Sequence, residues 1–121
     1  MLLYQGIKEI PENIFKEMYN LEFIEIPSSI EIINDDEFSD CINITSIKCE
    51  PRFLKYFNKE NLTSIVLLYG EIDIKSDPFK DCISLENVVI PDFYELYEEY
   101  LFRNCRQLYN IKYISGKIKR I

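Results

Sequence analysis

A spacing of 23 residues constrains the fold of this chain more than any other feature of its sequence. The stretch 21–43 reads LEFIEIPSSIEIINDDEFSDCIN. Its skeleton returns at 62–84 and again at 85–107, each time as a leucine, two aliphatic residues at alternate positions, and a later Phe-x-x-Cys. Self-similarity at a fixed period of this length is typical of stacked repeat units rather than of a single globular core.

Numbering each unit from Leu21 as position 1 aligns its apolar residues in columns. Position 4 is aliphatic in five successive units, and position 18 is phenylalanine in four. One unit cannot bury these residues alone, whereas stacked units turn each column into part of a shared core. Positions 4 and 6 alternate with polar neighbours, which predicts a strand, and stacking predicts parallel pairing of successive strands. The two columns are Ile24, Ile47, Ile65, Val88 and Ile111, and Phe15, Phe38, Phe79 and Phe102.

The remainder of each unit predicts a short return to the next strand. Two apolar residues spaced as Phe-x-x-Cys fit one helical or 3₁₀ turn. The unit at 44–61 is five residues shorter than the others and has no Phe-x-x-Cys, and Phe57 is its candidate for the aromatic position.

This run of residues, clearest at Leu21–Asn43, resembles the BspA-like class of leucine-rich repeat. The resemblance implies a curved solenoid used for protein–protein recognition and adhesion, and it carries no catalytic residues. The expected fold class is α/β: a right-handed solenoid with a parallel sheet on one face and short helical or 3₁₀ turns and loops on the other. Residues 1–121 are expected to form a single domain of about five units, partial at both ends and shortened at 44–61.

Two return segments have features of their own. Residues 11–18 begin with proline, which favours the first turn of a short helix. Asp92 followed by Glu95 resembles a capping box. In the same segment, Tyr94, Tyr97 and Leu101 fall on one face of a predicted helix.

Composition and charge argue against several classes of function. The chain has 14 basic and 21 acidic residues and a net charge of −7, so nucleic acid and anionic membrane are not expected as partners. It has no histidine, which removes histidine-dependent triads and the commonest zinc ligand. Its four cysteines form no Cys-x-x-Cys pair. We therefore expect no cofactor, no metal and no enzymatic activity, with a carboxylate-dependent hydrolase as a distant alternative.

The cysteines fit the repeat as small core residues. Cys41, Cys82 and Cys105 share position 21, which Met18 occupies in the first unit, so the thiols are expected to be buried and reduced. No charged segment followed by an apolar stretch begins the chain, so a signal peptide is not predicted. For a complete chain the expected location is cytoplasmic.

The candidate site is the outward face of the sheet, where positions 2, 3 and 5 project. Apolar residues at exposed positions indicate a contact surface for an unidentified protein, although valine there is also explained by its preference for strands. A spacer segment of a longer repeat array is the alternative function. The candidate partner-binding residues are Glu22, Phe23, Glu25, Thr45, Lys48, Thr63, Val66, Glu86, Val89, Tyr109 and Lys112.

The C-terminal end predicts one further property. Leu108, Ile111, Tyr113 and Ile118 form the start of a last unit with no recognisable polar cap. Such an edge would expose apolar side chains and unpaired strand groups. Either this chain is an excerpt of a longer array, or it self-associates through its C-terminal repeat edge.

Overall fold

A computed structural model describes residues 3–121, and a six-stranded sheet organises them. The strands lie side by side in the order in which they occur along the chain, β1 to β6. The first five are parallel, and β6 is antiparallel to β5. Their bounds are β1 Phe23–Glu25, β2 Ser46–Cys49, β3 Ser64–Leu67, β4 Asn87–Ile90, β5 Asn110–Tyr113 and β6 Ile118–Arg120.

The register of the sheet follows the sequence repeat. Ile24 pairs with Ile47 and Val88 with Ile111, each 23 residues further on, whereas Ile47 pairs with Ile65 across the shortened unit. All five position-4 side chains are buried, because the pleat turns alternate residues of every strand into one core. Burying one such side chain contributes about 2 kcal/mol. The predicted repeat fold with a parallel-dominated sheet is confirmed.

Short turns and 3₁₀ helices return the chain from each strand to the next. The 3₁₀ helices span Pro51–Tyr56, Lys59–Asn61, Ile74–Ser76 and Asp92–Tyr97, and a one-turn helix α1 spans Glu98–Leu101. At the Phe-x-x-Cys sites the cysteine amide donates to the phenylalanine carbonyl three residues earlier, as at Cys41 and Phe38 (3.0 Å). This geometry confirms the predicted tight turn. No helix within residues 3–121 combines the length and apolar character that a membrane span requires.

The phenylalanine column continues through the shortened unit. Phe38 packs on Phe15 with ring centroids 4.9 Å apart, and on Phe57 with centroids 4.5 Å apart. The prediction that Phe57 fills the aromatic position is therefore confirmed. The 3₁₀ helix Pro51–Tyr56 leads from β2 to Phe57 with fewer residues than the corresponding arms of the longer units.

The predicted helix at residues 11–18 is wrong. This segment is a series of turns, in which Asn13 and Glu17 both have φ of 62°. A left-handed residue interrupts the dihedral pattern of an α-helix, so the helix cannot propagate past it. Phe15 is nevertheless buried in its expected column.

The predicted exposed apolar edge at the C-terminus is also wrong. Leu108, Ile111 and Tyr113 are buried, and β6 pairs with the edge of β5. Gly116, with φ of 104°, allows the tight turn between the two strands, and its amide donates to the Tyr113 carbonyl at 2.8 Å. Ile118 lies on the antiparallel strand and is 53% exposed.

The segment after β4 departs from both features predicted for it. Tyr94 and Leu101 are buried, but Tyr97 is 42% exposed and Glu98 is buried instead. The reason is the change from a 3₁₀ helix to an α-helix at residue 98, which shifts the periodicity of the buried side. The capping box does not form, since Pro91 occupies the N-cap position without a side-chain bond.

Candidate protein-interaction surface

The outward face of the sheet presents three rows of side chains that run across the strands, at positions 2, 3 and 5 of the units. The strand register sets Phe23, Ser46, Ser64, Asn87 and Asn110 side by side in the position-3 row. The position-5 row is Glu25, Lys48, Val66, Val89 and Lys112. The position-2 row precedes the strands and is Glu22, Thr45, Thr63, Glu86 and Tyr109. We call these three rows the sheet face.

The strand register places six of the eleven predicted site residues on the outward face, and the other five form the row that directly precedes the strands. Backbone bonds hold the position-2 row together, as where the Thr45 amide donates to the Glu22 carbonyl (2.9 Å) and the Tyr109 amide to the Glu86 carbonyl (3.0 Å). Phe23 at one end is 38% exposed, and Tyr109 at the other end is 54% exposed. Two aromatic side chains therefore flank the face at β1 and at β5.

Polar contacts differ between the middle of the sheet face and its ends. Glu25 and Lys48 form an ion pair of 3.0 Å, which neutralises both charges near β1. The Ser64 hydroxyl donates to the Asn87 side-chain oxygen at 3.1 Å. Val66 and Val89 are direct neighbours and half-buried. The centre of the face, around β3 and β4, therefore combines apolar and amide groups with the charge of Glu86 beside them.

Sequence reasoning missed the contribution of β6 to this face. Arg120 pairs with Asn110, and Ile118 pairs with Lys112, so both side chains extend the outward rows by one strand. A signal for it was the dipeptide Ser115-Gly116, which marks a turn after β5. β6 is only three residues long, which is too short for a strand pattern to be recognised from the sequence.

Three acidic residues of the arm after β4 contact the C-terminal hairpin of β5 and β6 and hold it against that arm. The Asp92 carboxylate accepts a bond of 3.1 Å from the Ser115 amide. Glu95 and Glu98 form ion pairs with Lys117 (2.5 Å) and Lys119 (2.7 Å). The spacing of the acids at every third residue matches alternate residues of the hairpin.

At the Glu98 end of this set of contacts, Glu98, Tyr113 and Lys119 form a cluster. Glu98 is 8% exposed, and its carboxylate accepts from the Tyr113 hydroxyl and from the Lys119 ammonium group. Burial raises the pKa of Glu98, but the bonds from Lys119 and Tyr113 lower it more, so its net pKa lies below the ordinary value. The bond to Glu98 raises the pKa of Lys119. The cluster therefore stabilises the ionised carboxylate.

The four cysteines are buried, as predicted. Burial raises the pKa of the Cys49 thiol and of the Cys82 thiol to about 12, and that of the Cys105 thiol to about 11. A thiol with so high a pKa is almost entirely protonated near neutral pH and is a poor nucleophile. Within residues 3–121, no three His, Cys, Asp or Glu side chains converge in a way that could hold a metal ion.

Comparison with known proteins agrees with this geometry. A family model described as BspA type Leucine rich repeat region (6 copies) matches residues 8–56 and 53–121. The two ranges together run from residue 8 to the last residue of the chain. No curated protein and no solved structure matches it.

Proposed function

The chain belongs to the BspA type leucine rich repeat family, and on that premise we propose that it is a non-enzymatic protein-interaction module whose sheet face binds a partner protein. The architecture that we propose with it is a right-handed solenoid. Parallel neighbouring strands must be joined by crossovers, and almost all such crossovers are right-handed. The crossovers here are the turns and 3₁₀ segments between β1 and β5.

The observation that carries the proposal is the register of the sheet face. Hydrogen-bonded strands about 4.8 Å apart hold the outward side chains at fixed spacings before any partner arrives. A rigid surface loses little conformational entropy when it binds, which favours affinity. The apolar pair Val66 and Val89, flanked by Phe23 and Tyr109, resembles the apolar core and aromatic enrichment of protein interfaces.

The sheet face gives the two alternatives less support. For a spacer in a longer array, a further parallel strand would add to the edge of β5, and β6 occupies that edge. For a carboxylate-dependent hydrolase, two acids would have to converge in a cleft. On the sheet face, Glu25 is instead neutralised by Lys48.

Binding by a purified partner tests the proposal. A partner is first identified by affinity capture, and its dissociation constant is then measured by calorimetry with wild-type protein. Replacing both Phe23 and Tyr109 by serine should weaken binding about tenfold or more, because truncated aromatic anchors are typical hot spots. The matched control replaces two exposed apolar residues outside the sheet face, Tyr4 and Ile42, by serine, and binding should be unchanged. Loss of binding in the control but not in the sheet-face variant would contradict the proposal.

A further inference from the structure

A second apolar surface lies away from the sheet face, between the return arms of the units that follow β3 and β4. It is a groove of about 430 Å³ lined by Gly70, Glu71, Ile72, Ile74, Phe93 and Tyr97. A volume of this size lies within the range of sites that take small ligands or single large side chains. Five of the six lining residues are uncharged, and Glu71 supplies the single charge of the wall.

The arm after β4 presents an unusual amount of apolar surface beside this groove. Phe93, Leu96, Tyr97 and Tyr100 are all exposed, and Leu96 is 85% exposed. Tyr94, Glu98 and Leu101 of the same segment are buried, and we call the four exposed residues the apolar stripe. The buried side of the same segment is formed by Tyr94 and Leu101, so the stripe is not needed for the core. Several large apolar side chains exposed on one short segment indicate a site of interaction.

Neighbouring contacts hold the aromatic side chains of this stripe in place. The Phe93 ring packs edge-on against the fully buried Tyr94 ring, with centroids 4.3 Å apart. The Arg103 guanidinium lies 4.2 Å from the centroid of the Tyr100 ring and is itself fixed by an ion pair of 2.7 Å with Asp77. A partner would therefore meet rings that are already ordered, at a reduced entropic cost.

The charge around the groove selects the chemistry of the partner. The two arms, residues 70–76 and 92–100, contain six acidic residues and one basic residue, Lys75. Lys117 and Lys119 pair with two of the acids, Glu95 and Glu98, and so leave the surroundings net negative. Glu71 lies in the wall itself. An anionic ligand is disfavoured here, and a cationic one is attracted.

We propose that this groove binds a short cationic segment of a partner protein, in which one large apolar side chain enters the groove and flanking lysine or arginine residues face Glu71 and the acidic arm. This surface is separate from the sheet face, and the proposal stands whether or not the sheet face binds a protein.

Tryptophan fluorescence offers a direct test because the chain contains no tryptophan. The probes are two synthetic peptides, acetyl-Lys-Lys-Trp-Leu-Lys-amide and its counterpart with glutamate in place of each lysine. Titrating the full chain into the lysine peptide should shift the tryptophan emission to shorter wavelength in a saturable manner. The glutamate peptide should show no such shift, and added salt should weaken the lysine peptide through charge screening.

Surface variants locate the binding. Replacing both Phe93 and Leu96 by serine should weaken the lysine peptide about tenfold, which is the effect of losing about 1.4 kcal/mol of binding free energy. Glu71→Gln should weaken it by about threefold, an effect that matches a partly screened charge pair. Circular dichroism checks that each variant is folded, and Tyr97→Ser alone, at a residue that lines the groove, serves if the double variant is not.

The control variant carries serine in place of Phe23 and Tyr109 on the sheet face, and its affinity for the lysine peptide should equal that of the wild type. Equal binding of both peptides, or retention of affinity in the folded groove variant, would overturn the proposal. Loss of peptide binding in the sheet-face variant would overturn it as well, and would assign the cationic segment to the sheet face.

Discussion

Two buried tyrosines offer a matched test of how this protein satisfies its buried polar groups. Tyr113 and Tyr94 are both fully buried, so replacing either by phenylalanine removes one hydroxyl group and leaves the ring in place. The Tyr113 hydroxyl donates to Glu98, whereas the Tyr94 hydroxyl has no hydrogen-bond partner within residues 3–121. The two substitutions should therefore change stability in opposite directions.

The expected magnitudes follow from the partners. Tyr113→Phe removes a bond to an ionised carboxylate that is itself 8% exposed, which should cost about 1.5–3 kcal/mol of the free energy of unfolding. The Tyr94 hydroxyl group loses its hydrogen bonds to water on folding and gains no partner within residues 3–121. Tyr94→Phe removes this cost and should stabilise the protein by up to about 1 kcal/mol.

Urea denaturation followed by circular dichroism measures both effects, provided that the dependence on urea is the same in all variants. A double-mutant cycle between Tyr113→Phe and Glu98→Gln adds the coupling energy of the pair, which should be about 1 kcal/mol or more. A destabilised Tyr94→Phe with an unaffected Tyr113→Phe would refute the assignment of the paired and the unpaired hydroxyl.

Two further predictions concern pH and the thiols. The pKa values of Glu98 and Asp92 lie below their ordinary values, so the unfolded state binds more protons in acid than the folded state does. The stability that these groups contribute should therefore be complete above about pH 5 and decline towards pH 3. Urea midpoints at several pH values measure the decline, which should be smaller in Glu98→Gln. The buried cysteines should react with a thiol reagent slowly in the native protein and fully in urea. Rapid labelling of all four in the native protein would count against buried, reduced thiols, and so would a measured protein mass that shows a Cys82–Cys105 disulfide.

The sheet and its register were predictable from sequence because both depend on apolar spacing alone. Ile24, Ile47 and Ile65 recur at the same point of each unit, and strand alternation then determines which neighbours face outward. The shortened unit did not obscure this pattern, because Phe57 supplies the missing ring of the core at a different spacing. The composition of the sheet face followed from the same reasoning, while its role in binding stays a prediction.

The arm after β4 was less predictable because its helical period changes along its length. A single α-helical period places Tyr97 with Tyr94 and Leu101, whereas the 3₁₀ helix over Asp92–Tyr97 leaves Tyr97 exposed and buries Glu98. The intrinsic preferences of these residues barely distinguish the two helix types. A tertiary contact that accompanies the observed arrangement is the ion pair of Glu98 with Lys119.

That ion pair also explains why the C-terminal end carries a cap that its apolar pattern did not reveal. Lys119 of β6 pairs with Ile111 of β5. The position-4 column, which is aliphatic in β1 to β5, is therefore followed by a charged side chain in β6. The Lys119 side chain is 56% exposed, so solvent as well as Glu98 stabilises its charge, and a charged strand with an outward arginine is a poor template for edge-to-edge pairing. Self-association through this end stays a prediction, but the exposed apolar edge that motivated it is absent from residues 3–121. Any such association would have to use the outer edge of β6, where Ile118 is the exposed aliphatic residue between two basic neighbours.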